Sequence, residues 1–127
     1  MTTDIIAKLK QHAAKPGRLW YADRSQSYAG LLQETGRLAN ALGTIGLRKG
    51  DRLLLQAEKC EAVLTLYLAC LRTGVVVLPV NPAYTLAETE HFLRDAEPAL
   101  AVTDPDRVAG LAGLAARAMA LGELLAL

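Results

Sequence analysis

The chain has 127 residues, the length of one domain able to bury roughly two-thirds of the surface its unfolded form exposes. Fourteen Lys and Arg balance thirteen Asp and Glu, for a formal charge of +1, so no basic field draws it to nucleic acid or to anionic lipid. A 52% hydrophobic, 5% aromatic composition with Ala and Leu supplying about a third of the residues excludes disorder and points to a packed, helix-rich domain.

In chain order, Ile5, Ile6, Leu9 and Ala13 recur at helical spacing with Lys8, Lys10 and Gln11 facing away, which predicts an amphipathic helix from Thr3 to Ala14, ended by Pro16-Gly17. Asp4, Lys8 and Lys10 interrupt the apolar stretch of the first ten residues, so no signal peptide is expected. Leu19-Trp20-Tyr21, the turn-forming Asp23-Arg24-Ser25 and then Ser27-Tyr28 read as a short hairpin. Leu31, Leu32, Thr35, Leu38, Ala39, Leu42 and Ile45 form the stripe of a second helix, with Gly46 placed to cap its end.

After the turn Arg48-Lys49-Gly50-Asp51, the run Leu53-Leu54-Leu55 is too short for a helix and fits a strand covered on both faces. Strand and helix then alternate: a helix from Glu58 to Thr73, a buried strand from Val75 to Val80, a helix from Leu86 to Asp95, a strand from Ala99 to Thr103 and a helix from Asp106 to Met119. That order predicts an α/β fold with a mostly parallel sheet and right-handed crossovers. Thr85 and Glu88 make a capping box for the helix that begins at Leu86. Asp104 and Pro105 mark the start of the last one. The Ala- and Leu-rich tail from Ala118 to Leu127 has no clear stripe and receives no assignment. Ala62 to Val80 carries a single charge, Arg72, yet Arg72-Thr73-Gly74 stops a helix, β-branched residues follow and Pro79 closes the run; a helix and a strand are expected there, not a membrane span.

Cys60 and Cys70 stand ten residues apart, about 15 Å along one helix, too far to bridge within it. With only His12 and His91 to add, no zinc or iron-sulfur ligand spacing exists, and buried free thiols fit a reducing cytoplasm. Gly43, Gly46 and Gly50 lie between a helix and a strand, the reverse of the order that aims backbone amides at a phosphate, so they read as turn and cap glycines. No segment matches G-x-x-x-x-G-K-[ST] or G-x-G-x-x-G. Glu58, Lys59 and Glu61 follow the Leu53 strand, where parallel sheets bind ligands; they serve either as a polar rim or as acids favoured by the dipole of the next helix. Asn81, Tyr84 and Thr85 follow the next strand at the same sheet edge: Asn81-Pro82 is a turn, Thr85 a cap, and Tyr84 has no local explanation. His91 is expected on a solvated face, and His12 at a helix C-terminus, where positive charge is favoured. No nucleophile and base have a convergent spacing.

Ser27-Tyr28-Ala29-Gly30-Leu31, Arg37-Leu38-Ala39-Asn40-Ala41-Leu42, Gly46-Leu47-Arg48-Lys49-Gly50-Asp51-Arg52-Leu53 and the segment from Tyr67 to Pro82 resemble the opening of the adenylate-forming, AMP-binding acyl-CoA synthetases. The resemblance runs to about Asp106. Gln56-Ala57-Glu58-Lys59-Cys60, Ala83 to Glu88 and Asp95-Ala96-Glu97-Pro98 are most similar to malonyl-CoA and methylmalonyl-CoA synthetases. The resemblance implies a cytoplasmic ligase that activates a carboxylic acid with ATP and Mg2+ and passes the acyl group to CoA. The family's phosphate loop, magnesium-linked Glu, ribose-binding Asp, hinge and adenylation Lys have no counterpart among these 127 residues, so no catalytic, cofactor-binding or metal-binding residue is carried over. Residues 1–127 are accordingly expected to form a single truncated N-terminal subdomain, an incomplete piece of the family's large N-terminal domain, with no cofactor of its own and no activity alone. Its expected partner is the remaining polypeptide of the synthetase or a second copy, as a dimer or larger assembly, with no nucleic acid and no membrane. Two other readings stand beside this one: a free-standing small α/β module that binds a nucleotide or partner, and a non-catalytic interaction or assembly protein that reuses the scaffold.

Overall fold

The computed structural model describes residues 2–20 and 25–127. Its elements are α1 (Thr2–Ala13), β1 (Arg18–Trp20), β2 (Ser25–Ser27), α2 (Tyr28–Thr44), β3 (Arg52–Gln56), α3 (Glu61–Thr73), β4 (Val76–Pro79), α4 (Leu86–Ala96), β5 (Leu100–Thr103), a 3-10 turn (Pro105–Arg107), α5 (Val108–Ala112), β6 (Ala118–Ala120) and α6 (Leu121–Leu125). β1 and β2 pair antiparallel with Arg18 opposite Ser27, as the hairpin reading expects; Tyr21 to Arg24, which include the expected turn residues Asp23 and Arg24, lie outside the described residues. Tyr28 does not extend the hairpin. It opens α2, because the Ser27 hydroxyl accepts a hydrogen bond from the Gly30 amide at 3.0 Å and so caps the helix.

The main sheet has four strands in the order β4-β3-β5-β6. All three pairings are parallel, with Leu54 opposite Leu78 and Ala101, and Val102 opposite Met119. Strand parity sorts the side chains between two faces. Leu53, Leu55, Leu100 and Val102 join Leu38 and Leu42 of α2, Leu66, Ala69 and Cys70 of α3, and Leu121 and Leu124 of α6 in one core. Leu54 and Ala101 join Leu93 of α4 and Leu111 of α5 on the other. α1 lies outside the first helix layer, where Leu9 meets Leu31 and Leu68. A chain that steps from β3 to β4 with α3 on one face and back to β5 with α4 on the other keeps one hand of crossover throughout.

Several boundaries are set by chemistry already visible in the sequence. Gly74 ends α3 at φ 79°, in the left-handed region that glycine enters without strain, and a Cβ there would stand 2.7 Å from Cγ of Lys49. The capping box of α4 is present in both directions, with the Glu88 amide donating to Thr85 Oγ1 and the Thr85 amide donating to Glu88 Oε1. α4 ends on Glu97 at φ 46°, and Pro98 follows.

Three expectations are corrected. α3 starts at Glu61, with Cys60 as its N-cap, so Glu58 and Lys59 belong to the loop before it. β4 is not a buried strand: it forms an edge of the sheet, and Val76 is 52% exposed. The long helix from Asp106 to Met119 does not form. Asp104 and Pro105 do open a helical segment, but it is a 3-10 turn that runs into the five-residue α5 and stops at Gly113; glycines at 110 and 113 weaken any longer helix, and Ala118 to Ala120 pair instead with β5. The unassigned tail therefore becomes β6 and α6, and its Met119, Leu121 and Leu124 close the core within the same chain.

Candidate functional site at the carboxyl edge of the sheet

The helix after β3 packs on one face and the helix after β5 on the other. β3 and β5 are neighbours, so the carboxyl ends of these two strands diverge at a topological switch point, the place where open parallel sheets form a crevice. The last residues of the two strands, Gln56 and Thr103, stand opposite each other there. Both are buried, and both share the face of Leu54 and Ala101.

A polar network fixes this edge. Thr103 Oγ1 donates to the Gln56 carbonyl at 2.8 Å, and Gln56 Nε2 donates to Thr89 Oγ1 at 2.9 Å and to the Asn81 carbonyl at 3.1 Å. Thr89 Oγ1 in turn donates to the Thr85 carbonyl at 3.0 Å. One amide thus ties β3 to the loop after β4 and to the first turn of α4. At the other end of β3, on the same face, Arg52 Nη1 donates to the Ala96 carbonyl at 2.7 Å and holds the last turn of α4. Gln56 and Arg52 therefore clamp the two ends of α4 across Leu54.

Beside this network is a hollow of about 210 Å³ lined by Gln56, Tyr84, Leu86, Thr89, Asp106, Arg107, Gly110 and Leu111. Tyr84, unexplained by local sequence, stacks on Phe92 with ring centroids 5.8 Å apart and planes 6° from parallel; the ring forms part of the hollow's wall. Arg107 Nη1 is buried and has no hydrogen-bond partner.

The other candidate residues do not converge here. Glu58 and Lys59 are exposed, and Glu61 is partly buried in the first turn of α3, where the helix dipole favours it. Asn81 Oδ1 accepts from the Ala83 amide at 2.9 Å, a local turn, and Thr85 is occupied as a cap. His91 is exposed and lies 3.4 Å from Asp95 one turn on. His12 sits in the last turn of α1 with its ring 5.6 Å from that of Tyr28. Gly46 and Gly50 adopt φ 97° and 92° in the turn that leads into β3, at the opposite edge of the sheet. Among the described residues no group of three His, Cys, Asp or Glu could hold a metal ion, and no helix is long and apolar enough to cross a membrane.

The residues that build the hollow are mostly ones that local sequence does not single out. Gln56 carried a usable signal, since a polar residue in phase with Leu54 at the end of an apolar strand must find partners on the inner face. Arg107 carried none, because the burial of one of its nitrogens is a property of the tertiary structure.

Both cysteines are free, but only Cys70 is buried as expected; Cys60 is exposed, because it is the N-cap that precedes α3 rather than a residue of the packed helix. Burial pushes the Cys70 thiol up to about 12 from 9.0. Iodoacetamide at pH 8 should therefore modify one thiol per native chain, at Cys60, with the second reacting only in denaturant; two equivalents from the native protein would contradict this placement. The unfolded Cys70 thiol ionises near its ordinary value while the folded one stays neutral, so its contribution to stability is complete below pH 9.0 and is lost as pH rises toward about 12.

A four-stranded parallel sheet with helices on both faces is the architecture of part of the N-terminal domain of adenylate-forming enzymes. The ATP-bound structure of MatB from Rhodopseudomonas palustris is similar over 99% of this chain and 28% of its own, with a TM-score of 0.87 and 38% identity. The profile of the AMP-binding enzyme family matches residues 8–124, and the chain belongs to that family. The mitochondrial medium-chain acyl-CoA ligase ACSF2 of Rattus norvegicus is 41% identical over 68 residues, which cover 54% of this chain and 11% of that protein. The uncharacterised acyl-CoA ligase YtcI of Bacillus subtilis (strain 168) is 30% identical over 96 residues, 72% of this chain and 18% of its own length. The chain thus spans less than a fifth of these curated relatives.

Proposed function

We propose that the chain is a portion of an ATP-dependent acyl-CoA synthetase of the malonyl- or methylmalonyl-type, acting in the cytoplasm together with the remaining polypeptide of such an enzyme. The observation that carries this reading is the likeness to MatB, which extends over 99% of the chain at 38% identity. The subgroup resemblance at residues 56–60, 83–88 and 95–98 supports it. In this reading the chain contributes scaffold. It supplies one end of a sheet whose β4 edge, with Val76 exposed, is the surface for contact with further polypeptide or with a second copy. ATP, Mg2+ and CoA then act on the complete enzyme, where cations stabilise the charge that builds on the α-phosphoryl group as the carboxylate attacks.

The test is replacement. Residues 1–127 are substituted for the matching portion of R. palustris MatB, and CoA thioester formation from malonate or methylmalonate is followed. A scaffold of the same subgroup should leave turnover within roughly tenfold of the parent, since it displaces no reacting group. A folded chimera that forms no thioester from either acid would overturn the proposal.

A further inference from the structure

We propose that Pro79 closes the β4 edge to strand addition by a second copy of this chain. Among the described residues β4 has β3 on one side and no strand on the other. In a parallel ladder every second residue turns its N–H and C=O toward the same neighbour. The Val76 amide donates to the Asp51 carbonyl and the Val80 amide to the Leu55 carbonyl, each at 2.8 Å, which assigns Val76, Leu78 and Val80 to β3. Val77 and Pro79 therefore turn their backbone groups outward. The Val75 amide is taken by the Cys70 carbonyl at 3.0 Å. Proline has no N–H, so the open side of β4 offers two acceptors and a single donor, the Val77 amide.

Everything else about this edge favours pairing. Val75-Val76-Val77-Leu78 is an uncharged run of strand-forming residues. Val76 is 52% exposed, and Val76, Leu78 and Phe92 line a hollow of about 300 Å³ beside the strand. Such a run at a sheet edge is a template for a further strand. An antiparallel copy, with residue 77 of each chain opposite residue 79 of the other, would make four hydrogen bonds if residue 79 carried an amide. With proline it makes two, and the ring stands where the donor would be. The native sheet loses nothing by this substitution of a ring for a donor, because β3 draws on residues 76, 78 and 80. The inference rests on this ladder and not on the synthetase reading; it leaves side chains as the means of contact at the β4 edge.

The unaltered chain is compared with Pro79→Ala and Pro79→Val by light scattering over about a hundredfold range of concentration, with hydrogen exchange of the Val77 amide followed in parallel. Both variants restore the outward donor, and alanine does so without enlarging the apolar surface. Each should associate at least about tenfold more tightly than the unaltered chain, and its Val77 amide should gain protection as concentration rises. In the unaltered chain that amide should exchange rapidly at every concentration. Folded variants that keep the mass of the unaltered chain, association of Pro79→Val without Pro79→Ala, association that leaves Val77 unprotected, or concentration-dependent protection of Val77 in the unaltered chain would each overturn the proposal. If neither variant folds, Val77 exchange in the unaltered chain decides. The MatB replacement reports on thioester formation, so the two proposals fail separately.

Discussion

Incubated with ATP, magnesium, CoA and malonate or methylmalonate, the isolated chain should release AMP no faster than a protein-free control. Adenylation needs an α-phosphoryl group held between cations and backbone donors while a carboxylate attacks it. None of the 127 residues forms a G-x-x-x-x-G-K-[ST] or G-x-G-x-x-G segment. The glycines nearest to such a pattern, Gly46 and Gly50, sit in positive-φ turns that enter β3, so their amides lie at the sheet edge opposite the switch point. In the hollow at the carboxyl edge the lining cation is Arg107, with Asp106 beside it, too little positive charge for a triphosphate. Preorganised electrostatics supply much of an enzyme's rate enhancement, so their lack leaves nothing measurable. AMP release that co-elutes with the chain and disappears when the chain is removed would refute this expectation.

Leu66→Ala should cost ~2–5 kcal/mol in chemical denaturation, enough to unfold a large fraction of a marginally stable domain. Leu66 is fully buried (0% exposed) in the core that joins α3 to β3 and β5, and a cavity there cannot be filled without moving the sheet. Leu68, two residues on, would be expected from a sheet-packed helix to matter equally. Its side chain instead meets Leu9 of α1 and Leu31 of α2, outside the sheet, and is 7% exposed. Leu68→Ala should therefore fall at the low end of the same range, because α1 can settle into part of the space. Measured midpoints that reverse this order, at equal denaturant dependence, would mean that α3 turns Leu68 rather than Leu66 toward the sheet.

Much of the architecture was legible in the residues alone. The run Leu53-Leu54-Leu55 announced a strand buried on both faces, Arg72-Thr73-Gly74 a helix end in left-handed geometry, and Thr85 with Glu88 a capping box. Each signal acts over a few residues and is set by steric or hydrogen-bonding rules that local sequence expresses directly. The family was readable for the same reason, since its marks are contiguous segments. The stretch from Asp106 to Met119 misled, and the tail to Leu127 stayed unassigned, because apolar Ala and Leu suit either a helix or a strand, and period alone does not separate them.

By itself the sequence determined the element types from Thr3 to Thr103, the parallel alternation and the family, all of which follow from local periodicity, caps and contiguous motifs. Only the tertiary structure decided that the tail would add a strand beside β5 and close the core, that β4 would be an exposed edge, and that Gln56, Thr89, Tyr84 and Arg107 would meet around one hollow. Those outcomes depend on which face each strand end presents and on where the crossovers diverge. Residues as far apart as 56 and 107 are brought together by sheet register, a long-range property that no window of the sequence contains.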